Sequence, residues 1–163
     1  MRVDVRAMAP GESAVLTVEE SIVLQADEQP VDAQAAGTLR VDRTNRGVFV
    51  RGAVRALVAL TCSRCLVPFQ TTLGAEVEEE FALDPVAAPA GGELGAGDFV
   101  SWVGPGHEVD LTEVARQNLQ MNVPMAPLHA TTCRGLCLVC GANWNERTCE
   151  HIRTEGLGIR ERG

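Results

Sequence analysis

Apolar side chains recur at every second position over two stretches of the chain. In residues 48–60, Val48, Val50, Val54, Val58 and Leu60 point one way, and Arg51 and Arg55 point the other with Phe49, Ala53, Leu57 and Ala59. In residues 69–83, Phe69, Leu73, Val77, Phe81 and Leu83 share a face opposite Glu76, Glu78 and Glu80. A period of two is that of a strand with one dry face. Pairing the two as a hairpin fixes the parity of the register. It sets Val50 opposite Phe81, Val54 opposite Val77 and Val58 opposite Leu73, with Arg51 opposite Glu80 and Arg55 opposite Glu76.

Upstream, residues 13–24 are rich in Val, Leu, Ile and Thr and predict a strand, and residues 38–42 predict a shorter one. Thr44-Asn45-Arg46-Gly47 is a turn signal before the first alternating stretch. Residues 84–97 are rich in Ala, Gly and Pro and predict a surface loop, and residues 98–103 a short strand holding Trp102. The clearest helix is 110–123. Asp110 is its N-cap, and Glu113 completes an Asp-x-x-Glu capping box. Its apolar stripe is Leu111, Val114, Ala115 and Leu119, and Pro124 and Pro127 end it. The pattern predicts an α+β fold: an antiparallel sheet, one main helix and a cysteine-rich C-terminal segment. Residues 1–128 form the β-rich core, and residues 129–163 form a cysteine and histidine tail packed on it.

Composition adds that 45% of the 163 residues are apolar, enough for a real core. No apolar run is long enough to span a bilayer, and the first residues mix charges rather than forming a signal peptide. The expected location is the cytoplasm, with no membrane partner. Charge is uneven beneath a net −8. Residues 40–64 carry six Arg against one acid, and residues 71–115 carry ten acids and no Arg. The net charge argues against non-specific nucleic-acid binding but allows a local contact through Arg40, Arg43, Arg46, Arg51, Arg55 and Arg64. The acidic stretch suits a basic partner.

The six cysteines change the picture most. In a reducing compartment, six cysteines without a secretion signal point to metal or redox chemistry. Cys137-Leu-Val-Cys140-Gly141 reads as a zinc knuckle, and Cys149 and His151 complete a Cys3His set of the kind tetrahedral Zn²⁺ takes. A competing set joins Cys133 to Cys137, Cys140 and Cys149. A second site is Cys62, Cys65, Cys133 and His129, where the chain returns after the helix. One or two structural zinc ions are therefore expected. A thioredoxin-like role for Cys62-Ser-Arg-Cys65 would want a helix after the first thiol, and here an alternating strand follows. No Ser/His/Asp order, phosphate loop or carboxylate pair argues for an enzyme or a small-molecule substrate.

Leu60-Thr61-Cys62-Ser63-Arg64-Cys65-Leu66 resembles the Cys-x-Arg-Cys-Leu element of the bacterial and plastid YceD family. Val123-Pro124, Pro127-Leu128-His129 and Cys133-Arg134-Gly135-Leu136-Cys137-x-x-Cys140-Gly141-x-Asn143-x-Asn145 followed by Cys149 resemble its tail. The matching positions are Cys62, Arg64, Cys65, Cys133, Gly135, Cys137, Cys140, Gly141 and Cys149. The resemblance implies a non-enzymatic factor in large-ribosomal-subunit biogenesis, needed for accumulation of 23S rRNA. Its partner would be the precursor large subunit, met through a basic ribosomal protein, through 23S rRNA, or both. The chain departs from the family in having His129 and His151 where many relatives have Cys, and both substitutions keep a zinc-competent ligand. Leu138 stands where the knuckle usually has Pro, and residues 153–163 lack an apolar, basic helical tail. The rival functional class is a zinc-stabilised protein-interaction module with no ribosomal role.

Overall fold

A computed structural model of the protein describes residues 1–27, 29–83, 101–103 and 106–151. The chain divides into two compact units. Unit 1 comprises residues 1–58 and 72–123, and unit 2 comprises residues 59–71 and 124–163.

Four long strands dominate: β2 (Ser13–Ala26), β3 (Gln29–Arg43), β4 (Gly47–Thr61) and β5 (Pro68–Ala82). With the two-residue β6 (Ser101–Trp102) they form a sheet in the order β2-β3-β4-β5-β6. β1 (Arg2–Asp4) and β7 (Glu108–Asp110) pair antiparallel in a separate ribbon. The sheet is mixed rather than purely antiparallel, because β6 runs parallel to β5 with Phe81 facing Ser101. The loop expected over residues 84–97 lies outside the described residues, as do residues 98–100 of the strand expected there.

Burial follows the period of two. Val18, Leu24, Leu39, Val41, Val48, Val50, Val54 and Val58 are buried on one face of the sheet. Each such side chain is worth roughly 1.5–3 kcal/mol of apolar burial. Arg51, Arg55, Glu76, Glu78 and Glu80 are exposed on the other. The helix α1 (Leu111–Met121) packs against β2. It buries Leu111, Val114, Ala115, Asn118 and Leu119, the spacing of a single helical face. Asp110 caps it by accepting from the N–H groups of Thr112 and Glu113. Only this half of the expected capping box forms, since the Glu113 carboxylate instead accepts from Arg116 and Gln117. Asn118, the buried polar residue of the stripe, donates to the Glu79 carboxylate and to the Val114 carbonyl.

Two expectations are corrected. The strand expected over 38–42 runs from Gln29 to Arg43, because it pairs with β2 continuously from Gln29, opposite Ala26, to Asp42, opposite Ser13. The β4–β5 register lies two residues away from the one the charge pairs suggested. Leu83 N–H donates to the Arg46 carbonyl at one end and Cys62 N–H to the Val67 carbonyl at the other. Between these ends Arg51 faces Glu78 and Arg55 faces Gly74, where a Cβ would lie 4.0 Å from Arg55 Cγ. The parity was set by the buried face, but the offset was set by the turn, which closes at Leu66 N–H to the Cys62 carbonyl.

Candidate metal centres

Unit 2 is built around two turns of the same design. In the first, Cys62 N–H donates to the Val67 carbonyl at 3.0 Å, and Leu66 N–H donates back to the Cys62 carbonyl at 2.9 Å. In the second, Cys137 N–H donates to the Ala142 carbonyl at 2.8 Å, and Gly141 N–H donates back to the Cys137 carbonyl at 2.8 Å. The residue after the second cysteine is left-handed in both, at φ +59 for Leu66 and +70 for Gly141. This backbone curls so that both thiols of each Cys-x-x-Cys pair turn toward one point.

The first turn is tied to the segment that follows the helix. Ser63 N–H donates to the Pro127 carbonyl, Leu136 N–H to the Arg64 carbonyl, and Arg64 Nη1 to the Cys133 carbonyl at 3.0 Å. These bonds bring Cys62, Cys65, His129 and Cys133 together, with all four ligand atoms within 4.8 Å of one another. Cys62 Sγ lies 3.7 Å from Cys133 Sγ, and Cys65 Sγ lies 3.3 Å from His129 Nδ1. The three cysteines are buried, and Phe69, Leu128 and Leu136 pack against them. The Phe69 ring meets the His129 imidazole edge-on at 6.5 Å between centroids. Asn145 Nδ2 donates to Cys133 Sγ while its Oδ1 accepts from Arg134 N–H.

The second turn gathers Cys137, Cys140, Cys149 and His151, again within 4.8 Å of one another. Trp144 N–H donates to the Gly135 carbonyl, and its indole Nε1–H donates to Cys149 Sγ at 3.3 Å. The indole therefore lies against the cluster. Cys133, which the sequence left between two sets, sits with Cys62, Cys65 and His129. All six cysteines are free thiols.

Electrostatics single out one thiol in each cluster. Burial opposes ionisation of Cys62, but hydrogen bonds from His129, Cys65 and Arg64 pull its thiol down to about 5. Burial raises Cys65, and Cys62 and Cys133 push it further up. In the other cluster the Trp144 indole leads in lowering Cys149 to about 6. At Cys140 the Ala142 N–H lowers the thiol, but Cys137, desolvation and Cys149 outweigh it. Neighbouring sulfurs oppose one another's ionisation, and a cation between them would relieve that repulsion.

A Zn–S bond of about 2.3 Å in a tetrahedron sets sulfurs about 3.8 Å apart. The 3.7 Å separation of Cys62 and Cys133 fits that edge. It is too long for a disulfide, whose sulfurs bond at about 2.05 Å. The donor chemistry, three thiols and one imidazole in each set, suits the same ion. Each cluster can hold a metal ion.

The cationic residues named from the sequence differ in the partners they engage. Arg40 and Arg51 face each other across β3 and β4, and both bind Asp42, at 2.7 and 3.0 Å. Arg43 donates to the carbonyls of Val5, Thr44 and Gly47. Arg64 holds the Cys133 carbonyl. Arg46 and Arg55 are exposed, and no ion pair among the described residues engages them. Sequence reasoning missed Asp42 as the bridging acid. The signal was its place between Arg40 and Arg43 on a strand long enough to face Arg51.

The profile of YceD, described as large ribosomal RNA subunit accumulation protein YceD, matches residues 50–157, more than half of the chain. A chloroplastic large ribosomal RNA subunit accumulation protein YCED homolog 1 of Arabidopsis thaliana is 25% identical over 92% of this chain and 51% of its own length. The Zea mays protein of the same description is 29% identical over 72% of this chain and 50% of its own. The chain thus spans about half the length of the curated relatives it matches. No solved structure matches.

Proposed function

The chain belongs to the YceD family, and from that premise we propose that it is a non-enzymatic factor in large-ribosomal-subunit biogenesis that supports accumulation of 23S rRNA and is held by two structural zinc ions. The family match over residues 50–157 carries the ribosomal part. The two Cys3His clusters that share one backbone design support the zinc part.

On this reading Cys62, Cys65, Cys133 and His129 hold one ion, and Cys137, Cys140, Cys149 and His151 hold the other. Zinc bound there supplies no reaction: it neutralises crowded thiolates and cross-links distant segments of chain. The residues do the rest. Asn145 and the Trp144 indole donate to the sulfurs and fix their orientation. Among the cations, Arg46 and Arg55 are the ones with guanidinium groups available to rRNA phosphate. Arg40, Arg43, Arg51 and Arg64 would contribute only through donors their protein partners leave over. The exposed Glu76, Glu78 and Glu80 offer a basic ribosomal protein a complementary surface. The working compartment is that of ribosome assembly, the cytoplasm for a bacterial chain.

The test is a strain lacking this protein, read by the ratio of 23S to 16S rRNA and by a sucrose-gradient profile. A selective fall in 23S rRNA and mature large subunits is expected. Cys62→Ser and Cys149→Ser should each fail to restore it and should each lower bound zinc, measured by mass spectrometry of the native protein, from two ions to one. An unchanged ratio with normal growth would overturn the ribosomal reading. A full complement of zinc in both variants would overturn the ligand assignment.

A further inference from the structure

β2 is the first strand of the five-stranded sheet, with β3 on one side and, among the described residues, no strand on the other. It is 14 residues long, so its open side is a long row of backbone donors and acceptors. Gln25 shows which residues point outward. Its N–H donates to Gln120 Oε1 at 2.7 Å, and its carbonyl accepts from Gln120 Nε2 at 2.9 Å. One side-chain amide thus does for Gln25 what a neighbouring strand would do. In an antiparallel ladder, outward groups recur at every second residue. Val15, Thr17, Glu19, Ser21 and Val23 therefore present the rest of the row, and among the described residues no other segment bonds to their backbone.

Protected edges carry Lys, Pro, a bulge or a covering segment. β2 has no Lys, Arg or Pro, and its pairing with β3 is continuous from Ser13 to Ala26. Val15 and Val23 are exposed at 64% and 47%, so the strand offers β-branched side chains beside its open backbone. Charge selects the partner. The β2–β3 hairpin, residues 13–43, holds six acidic residues against two cations, and Arg40, which lies opposite Val15 at one end, is already paired with Asp42. Exposed Glu19, Asp27 and Asp32 belong to this hairpin. A second copy of β2 laid antiparallel on the first would set acid beside acid, which costs energy in a sheet. A basic segment would set opposite charges there.

We infer that the outer edge of β2, from Val15 to Val23, is a strand-addition site for an extended basic polypeptide segment of another protein. Main-chain bonds would supply affinity, and Arg or Lys side chains against Glu19 and Asp32 would supply selectivity. This does not depend on the zinc clusters or on a ribosomal role.

The probe is a short capped peptide alternating Arg and Val, with an acidic counterpart that has Glu for Arg, and analogues N-methylated at every Arg or every Val. Binding to the whole chain is read by fluorescence anisotropy, and amide exchange by NMR. The basic peptide should bind, and the amides of Val15, Thr17, Glu19, Ser21 and Val23 should exchange about tenfold more slowly or better. The acidic peptide should not bind. One N-methylated analogue should lose about tenfold or more in affinity at unchanged charge. Thr17→Pro removes an outward N–H without touching the β3 ladder, so it should weaken binding while leaving the melting curve in place. Equal binding of both N-methylated analogues would overturn the proposal in favour of plain charge attraction. Absence of binding by the basic peptide would also overturn it, as would protection falling elsewhere on the chain. Outward amides already protected in a free protein that sediments as a dimer would overturn it in favour of self-pairing.

Discussion

Leu66 and Gly141 hold the same place in two equivalent turns, each following the second cysteine with a positive φ. For an L-residue that conformation costs roughly 1–2 kcal/mol, and glycine adopts it without penalty. At Gly141 a Cβ would meet nothing within 4 Å, so the cost of adding one is purely torsional. Gly141→Ala is expected to destabilise unit 2 by about 1–2 kcal/mol. Leu66 carries that strain already and is 62% exposed, so little packing offsets it. Leu66→Gly should stabilise the turn by up to about 1 kcal/mol, once the greater chain entropy of glycine is allowed for. On the proposed zinc reading, rates of zinc release to a chelator check both, slower for Leu66→Gly and faster for Gly141→Ala. The sequence made the second turn legible through its Cys-x-x-Cys-Gly spacing. It hid the equivalence of the first, because a leucine stands where the glycine signal would be.

Strand parity and helix stripe were legible because burial acts on every second or every third and fourth residue of an element. The β4–β5 offset was not, since core and charge patterns repeat every two residues and several registers satisfy them equally. The two-residue difference matters to the ion pairs. With Arg55 beside Gly74 rather than Glu76, and Arg51 opposite Arg40, the sheet neutralises its cations through Asp42. Hydrogen bonds from Ser13 and then Arg40 hold the Asp42 carboxyl below its ordinary value. A carboxyl depressed in the folded state stabilises the fold above its unfolded value and loses that contribution as pH falls through the folded one. Asp42→Asn should therefore melt below the parent protein at neutral pH, because Arg40 and Arg51 are left facing each other. The gap between the two melting temperatures should begin to narrow as pH falls below the ordinary carboxylate value of about 3.9 and close only below the lower folded value. A gap that persists unchanged at acid pH would mean that Asp42 acts through packing rather than charge.

The two units draw their stability from different sources, and on the proposed zinc reading this sets what metal removal would do. Unit 1 holds most of the sheet and the helix, and its core of Leu24, Leu39, Leu111, Leu119 and a set of valines is buried without recourse to cysteine. Among its described residues, unit 2 has little regular structure beyond the ends of β4 and β5, and its apolar cluster is built on Cys62, Cys65 and Cys133 with Phe69, Leu128 and Leu136. A core made of thiols is a poor hydrophobic core once those thiols ionise or repel one another. A strong zinc chelator should therefore act unevenly. Amides of residues 124–151 and 62–67 should lose their protection in hydrogen-exchange mass spectrometry, while those of β3, β4 up to Val58 and α1 keep theirs. Lowering the pH should ease removal, because protons compete with the metal for sulfur. Uniform loss of protection across both units would instead mean that the metal centres hold the whole chain. Unchanged protection everywhere would mean that hydrogen bonds such as Arg64 to Cys133 suffice to keep unit 2 folded. The contrast between a pattern-driven sheet and a ligand-driven segment also explains what could be read in advance. Periodicity reports an element that folds by burial, whereas unit 2 is specified by a few cysteines and histidines, and of these only Cys137, Cys140, Cys149 and His151 lie close enough in sequence for spacing to group them. The joining of Cys62 and Cys65 to His129 and Cys133 rests on backbone bonds, Ser63 to Pro127 and Leu136 to Arg64, that no spacing rule encodes.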